Sequence, residues 1–273
     1  MARHATGLTA AYIQRIKMEI CQSNEAWVEK DGDLAFDHTK IILRQDDDYF
    51  YARVPFREND PSAVDVARLD ARKIIMDSVW PPADSRFTAA PDPLPADTYV
   101  KQPQLLHYDD TPASRNLGAL MLGEIEACEV LRLKPHPNIA RYLGCLTNKG
   151  RVTGLCFARY STTLAQLLRE GASAFDKHAC FRGIEAGFKH MHALGLVHND
   201  LNPSNIMFDG REPIIIDFDS CKTEGEPLGH KGGTFGWTTD DGDPCSRKEN
   251  DVYALEKLRG ILLGEATTAA VAK

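Results

Sequence analysis

The chain has no apolar run long enough to span a bilayer. Its first twenty residues, MARHATGLTAAYIQRIKMEI, lack the compact apolar core of a signal peptide. No membrane partner is therefore expected. Positive charge is not in excess either. The 32 Lys and Arg against 39 Asp and Glu leave a net charge of −7, which argues against a nucleic-acid-binding surface. The seven cysteines form an odd set with no CxxC pair and no Cys/His metal spacing. They read as reduced, mostly buried thiols in an intracellular protein, cytoplasmic or nuclear. Internal repeats and low-complexity segments are also absent.

What is present is an ordinary globular composition, 43% hydrophobic and 26% charged over 273 residues, with room for one large or two small domains. Residues 10–22 read as a helix from the spacing of Tyr12, Ile13, Ile16 and Ile20. Residues 37–55 read as strand, turn, strand around Asp46-Asp47-Asp48. Residues 62–80 read as a second helix, opened by Ser62 with Asp65 in the manner of a capping box and stopped by Pro81-Pro82. The proline-rich residues 81–97 read as an extended connector. No chemical motif occurs in residues 1–95. They are expected to be an N-terminal extension with a packing or regulatory role, or part of a small N-terminal lobe.

Thr98-Tyr99-Val100-Lys101 reads as a short strand ending in lysine. Residues 115–134 form a periodic helix with Leu122, Glu126, Val130 and Leu133 on one face. A carboxylate in an apolar stripe needs a partner, and Lys101 is the candidate. Glu124 lies on a mixed face with Leu120, Cys128 and Leu131, so the pairing is a choice between two glutamates. Val152 to Tyr160 reads as a strand and Thr163 to Leu168 as a short helix. Phe181, Ile184, Phe188 and Met191 mark a long helix that Gly195 stops.

That helix leads into Val197 to Ser220, VHNDLNPSNIMFDGREPIIIDFDS. Ile206 to Phe208 and Pro213 to Ile216 read as two strands joined by an Asp209-Gly210 turn. A hairpin brings its outer ends together, so Asn205 and Asp217 are expected close enough to share one metal. With Asp200 just upstream, these are the groups a phosphoryl-transfer site needs: a carboxylate for the attacking hydroxyl, and an amide oxygen and a carboxylate for Mg²⁺. Residues 221–250 read as a mobile loop, and Asp251 begins a helix running to about Leu263.

In that order the motifs resemble the protein-kinase superfamily, over roughly Tyr99 to Leu263. They are VK at 100–101, a glutamate-bearing helix, HPNI at 136–139, HND at 198–200, Asn205, Asp217-Phe218-Asp219, GTFGW from Gly233 to Trp237, and DVYAL from Asp251. The wording is also similar to divergent Ser/Thr-kinase-like proteins of filamentous fungi. The resemblance implies an α+β, two-lobed fold. A small antiparallel-sheet N-lobe with one helix would sit beside a mainly helical, shortened C-lobe, with the kinase-like domain at 96–265 and a tail at 266–273. It implies ATP with Mg²⁺ or Mn²⁺ as cofactors and a protein substrate or binding partner. Lys101 would contact the ATP phosphates and pair with Glu126, because Val130 and Leu133 then match the family's following apolar positions. Phe157 would be the gatekeeper, Ala158, Arg159 and Tyr160 the hinge, and Met207 a further ATP-binding residue. Asp200 would be the base, Asn205 and Asp217 the metal ligands, and His198, Phe218 and Asp251 the structural supports.

The departures are specific. No GxGxxG run precedes Lys101. Asn199 replaces the family arginine, Asn202 the catalytic-loop lysine and Asp219 the glycine of Asp-Phe-Gly. No Ala-Pro-Glu follows GTFGW, and few residues follow the Asp251 helix to supply the family's last helices. Three readings stay open: a Ser/Thr protein kinase, a pseudokinase that binds protein or nucleotide, and a small-molecule kinase.

Overall fold

A computed structural model describes residues 18–30, 32–57, 64–111, 113–171, 175–229, 233–239 and 244–264. They fall into two compact units, Met1–Met76 with Gln104–Tyr108, and Asp77–Pro103 with Asp109–Lys273. The unit that carries the motifs begins at Asp77.

The first unit is an antiparallel meander of β1 (Glu19–Lys30), β2 (Asp33–Gln45), β3 (Asp48–Val54) and the two-residue β4 (Arg72–Lys73), in that order across the sheet. Ile41, Leu43 and Val54 form its buried cluster, with Ile20 and Phe50 packed against it. The strand–turn–strand expected at 37–55 is β2 and β3. The two helices expected here are corrected. Glu19 to Gln22 are strand, paired from Glu19 opposite Arg44, while residues 10–17 lie outside the described residues. The spacing of Ile16 and Ile20 suits a helix, but pairing along the full length of β2 decides the outcome, as tertiary context does for strands. Ser62 also lies outside the described residues. From 64 to 80 the chain makes short 3-10 turns at Val66–Arg68 and Met76–Ser78 around β4. Asp65 caps the first of them by accepting from Ala67 N. Ile74 is fully buried and neighbouring Ile75 is 65% exposed.

The second unit has the expected α+β arrangement. Strands β5 (Thr98–Lys101), β6 (Tyr142–Asn148) and β7 (Arg151–Ala158) form an antiparallel sheet in the order β5-β7-β6. Helix α1 (Leu117–Leu133) belongs to this part. The rest is mainly helical, with α2 (Leu164–Arg169), α3 (Lys177–Ala193) and α4 (Lys248–Leu263). Thr163 and Gln166 close a reciprocal capping box on α2, and Asp176 caps α3. Two short antiparallel pairs complete the unit: β8 (Leu196–Val197) with β11 (Lys222–Thr223), and the hairpin of β9 (Ile206–Asp209) and β10 (Glu212–Ile215). One continuous core runs through it, from Ile125 and Cys128 of α1 through Leu155 and Phe157 of β7 to Ile184 of α3 and Leu258 of α4.

The buried face of α1 differs from the expected one. Met121, Glu124, Ile125, Cys128 and Leu131 point inward, while Glu126, Val130 and Leu133 are exposed. The connector at 81–97 is extended but not loose, because it runs along β6 with backbone hydrogen bonds from Cys145 N to Thr88 O (2.7 Å) and Ala90 N to Cys145 O (2.9 Å). Gly144 allows this approach. Its φ is +129°, and a Cβ there would lie 2.6 Å from the Ala89 backbone. Among the described residues no helix is long and apolar enough to cross a membrane, and the seven cysteines form no disulfide.

Candidate active site

The β9–β10 hairpin sets the register of the site. Ile206 pairs with Ile215, and Ile216 N donates to Asn205 O at 3.0 Å, so Asn205 and Asp217 flank the open end. Asp217 takes a left-handed backbone, φ +65°, which is uncommon for a non-glycine residue and typical of functional positions. Its Oδ1 accepts from Lys101 Nζ at 2.5 Å.

Lys101 is the hub. It is the last residue of β5, and its Nζ also donates to Glu124 Oε1 at 2.7 Å and lies 3.5 Å from Asp219 Oδ2. Glu124 is 3% exposed. The pairing expected with Glu126 is therefore corrected: the helix turns Glu124 inward and leaves Glu126 on the surface. Burial disfavours the charge on Lys101, but Glu124, Asp217 and Asp219 together outweigh it and hold the ammonium well above the usual lysine range. Burial pushes the Glu124 carboxyl up, opposed by Lys101 and reinforced by Asp219 and Asp217.

Asp200 is ringed by donors. Its Oδ1 accepts from Thr234 N (2.8 Å), Thr234 Oγ1 (2.7 Å) and Asn202 Nδ2 (3.0 Å), and its Oδ2 from Asn205 Nδ2 (3.1 Å). Asn202 stands where a cation was missed. It is 5% exposed and ties the loop together, with Nδ2 reaching Asp200 O and Thr234 Oγ1 while Oδ1 accepts from Ser204 N.

The loop is held from below by Asp251, which accepts from His198 N and Asn199 N, both at 2.8 Å, and from His192 Nε2 at 2.9 Å. His198 packs edge-on to the fully buried Phe218, and its Nε2 lies 3.0 Å from Ile216 O. Asn199, also left-handed at φ +62°, donates to Val197 O, Ser220 O and Ser246 Oγ and accepts from Asn250 Nδ2.

Beside these groups is a cavity of about 350 Å³, lined by Tyr99, Lys101, Glu124, Phe157, Met207 and Asp217, and also by the Ala158–Tyr160 segment. Its size suits a small-molecule ligand. In that segment Ala158 N is bound to Arg141 O and Arg159 N to Asp97 O. Tyr160 N has no partner among the described residues and is open to a ligand. A larger cavity of about 600 Å³ adjoins the segment from the side of Arg141 and Asp209 but holds none of the catalytic candidates.

The donor set fits Mg²⁺. Asn205 spends its amide nitrogen on Asp200, leaving Oδ1 without a partner among the described residues, and Asp217 spends only Oδ1 on Lys101. Asp217 lines the cavity and Asn205 is bonded through its backbone to the neighbouring Ile216, and two hard oxygens placed this way suit a small cation that completes its shell with phosphates and water.

Of the residues expected from sequence, Lys101, Phe157, Ala158, Arg159, Tyr160, Met207 and Asp217 line the cavity, Asp200 and Asn205 are bonded to each other, His198 and Asp251 hold the Asp200 loop, and Glu126 lies on the surface. Those missed are Glu124, Thr234, Ser246 and Asn250. Glu124 and Thr234 carried a signal: the mixed face of the helix, and the GTFGW run. Ser246 and Asn250 carried none.

Comparison with known proteins agrees with this geometry. Residues 107–240 match the family model described as the protein kinase domain. Among curated relatives, the serine/threonine-protein kinase PSK1 of Saccharomyces cerevisiae is 28% identical over 159 residues, covering 55% of this chain and 11% of that protein. The serine/threonine-protein kinase/endoribonuclease IRE1 of Hypocrea jecorina is 30% identical over 122 residues, covering 37% of this chain and 10% of that protein. The matches thus span about a tenth of those relatives' length. A solved structure of the yeast RNA Pol II CTD kinase CTDK-1 complex aligns with a TM-score of 0.47 at 16% identity, covering 67% of this chain and 64% of that one.

Proposed function

We propose that this chain transfers the terminal phosphoryl group of ATP to Ser or Thr hydroxyls of a protein substrate inside the cell. The observation that carries the reading is the meeting of Lys101, Glu124 and Asp217 at the edge of one cavity, with Asn205 bonded to Asp200 and, through its backbone, to Ile216 next to Asp217. Lys101 would neutralise phosphate charge, with Glu124 fixing its position. Asn205 and Asp217 would hold Mg²⁺, which supplies further charge neutralisation when bound. Tyr160 N–H and the apolar walls from Phe157 and Met207 would receive the base. Asp200 Oδ1 is saturated by three donors, so Oδ2 is the oxygen left to orient a substrate hydroxyl and take its proton. Such chemistry rests on positioning and preorganised charge.

Transfer of radiolabelled phosphate to a generic protein substrate tests the reading. Asp200→Asn is expected to lower turnover by about two to four orders of magnitude, the usual contribution of a general base. Equal incorporation by parent and variant would overturn it. A second reading, a pseudokinase that binds nucleotide or protein without transfer, is favoured by two observations. Asp219 adds a carboxylate 3.5 Å from Lys101 Nζ. Among the described residues, no strand pairs with the free side of β5, where a glycine-rich hairpin would lie. Stabilisation by ATP and Mg²⁺ without phosphate transfer would select that reading.

A further inference from the structure

Helix α1 carries Glu124, so the pair with Lys101 lasts only while the helix keeps its position. Residues 77–90 bear on that position directly. They form a strap fixed to the β6–β7 hairpin at both of its ends. At the turn, Val152 N donates to Pro81 O and Ala83 N donates to Gly150 O, each at 2.9 Å. Arg151 adds bonds to Trp80 O (2.8 Å) and to the Asp77 carboxylate (3.0 Å). Further along, Thr88 and Ala90 bond to Cys145 across the gap that Gly144 leaves open.

The same strap touches α1 at two places. Near its start, Gly118 sits so close to the strap that a Cβ would lie 3.1 Å from Ser78 O. Near its end, the Glu129 carboxylate accepts from Thr88 N at 2.6 Å and from Thr88 Oγ1 at 2.8 Å. Those contacts are separated by about 16 Å of helix at 1.5 Å per residue, and Glu124 lies between them. The Glu129 carboxylate is 15% exposed and also accepts from Arg132 Nε at 3.0 Å. Phe87, next to Thr88, packs on the main core.

We propose that this strap is a built-in clamp in which Thr88 and Glu129 act as positioning residues that hold Glu124 against Lys101, so that the pair forms without a second protein. The catalytic consequence rests on the kinase reading; the clamp itself does not. A helix packed close against this segment near its start and hydrogen-bonded to it near its end, the segment itself being bonded to the sheet, cannot swing away without breaking the Thr88–Glu129 bonds. Neither residue touches the cavity, so their effect reaches the site only through α1.

The test compares the full chain with Thr88→Val, Glu129→Ala and Thr88→Ser. The first readout is acylation of Lys101 by limiting amine reagent, measured by mass spectrometry. The second is hydrogen exchange in α1, with α3 as control. Thr88→Val and Glu129→Ala are expected to raise Lys101 labelling about fivefold, the factor that roughly 1 kcal/mol of lost hydrogen bonding carries, and to speed exchange in α1 alone. Thr88→Ser, which keeps both donors, is expected to match the parent. Unchanged Lys101 labelling in both disruptive variants would overturn the clamp, and so would equal acceleration in α1 and α3. Phosphate transfer by the parent is scored separately. A parent that transfers nothing while Thr88→Val exposes Lys101 sinks the kinase reading and leaves the clamp standing.

Discussion

Lys101 Nζ and Glu124 Oε1 meet at 2.7 Å, joining the end of β5 to the middle of α1 across 23 residues of sequence. Glu124 is nearly inaccessible, and Lys101 has two further carboxylates within 3.5 Å. Removing the Glu124 charge therefore does not strand the lysine; it lets Lys101 lean towards Asp217 and away from the place where the proposed function needs it. Glu124→Gln is expected to lower the rate of phosphate transfer about ten- to a hundredfold, the rate equivalent of a hydrogen bond to a charged group. Glu126→Gln, on the exposed side of the same helix, is expected to change nothing. Steady-state transfer assays on both variants check the pair, and equal losses would contradict the geometry.

Asp219 gives a prediction of opposite sign. Its carboxylate lies close to Lys101 and Asp217, where the proposed function would bring phosphates and a cation. A like charge roughly 8 Å from a phosphate costs about 2 kcal/mol at an effective dielectric near 20. Asp219→Asn is expected to tighten ATP binding with Mg²⁺ present by about five- to thirtyfold, read from thermal-shift titration. Asp219→Gly is expected to do the same. Weaker binding in both variants would show that Asp219 serves the cation rather than opposing the phosphates.

The cysteines are expected to divide by burial. Desolvation pushes the thiol of Cys180 up to about 12 and raises those of Cys128, Cys145, Cys156 and Cys221 as well. Thiolate is the reactive form, so these five are inert near pH 8. Cys21 is exposed on the first unit, although partial burial of its thiol raises it as well, and Cys245 is half-buried. Brief alkylation at pH 8 followed by peptide mapping is expected to label those two and to reach the other five only after denaturation. Early labelling of Cys180 or Cys221 would mean that the second unit opens readily.

Much of the second unit was legible in the sequence because its signals are local. Asp209-Gly210 marks the hairpin, Thr163 and Gln166 mark the start of α2, and Gly195 marks the stop after α3. The hairpin alone brings Asn205 and Asp217 together. The choice between Glu124 and Glu126 was not local. Each sits on a partly apolar helical stripe, and only the sheet, the strap and the core under α1 decide which stripe is buried. The first unit was misread for the same reason. Residues 19–22 and 64–80 lack an α-helix because Glu19 pairs with Arg44 at the far end of the long β1–β2 hairpin and Arg72–Lys73 pair with β3, contacts more than twenty residues apart in sequence. The Ser246 and Asn250 contacts to Asn199 were invisible, since they span 47 and 51 residues.

That last contact set carries the remaining prediction. In the family pattern an arginine occupies the position of Asn199, and a cation there can answer to a phosphate on the loop that follows. Asn199 instead turns inward at 3% exposure. It shares neutral hydrogen bonds with Ser246 Oγ at 2.9 Å and Asn250 Nδ2 at 3.0 Å, both of them buried. The left-handed backbone at Asn199 suits asparagine better than most residues. Every partner here is already present in the chain, so loop phosphorylation is not needed to order Asp200. Phosphatase treatment is expected to leave transfer activity unchanged. Asn199→Ala is expected to cost about 1–3 kcal/mol, because Ser246 and Asn250 lose buried partners. That loss corresponds to roughly 2–4 °C of melting temperature per kcal/mol for a domain of this size. Activity that falls with phosphatase while the melting temperature holds would show that a phosphate, and not this network, sets the loop.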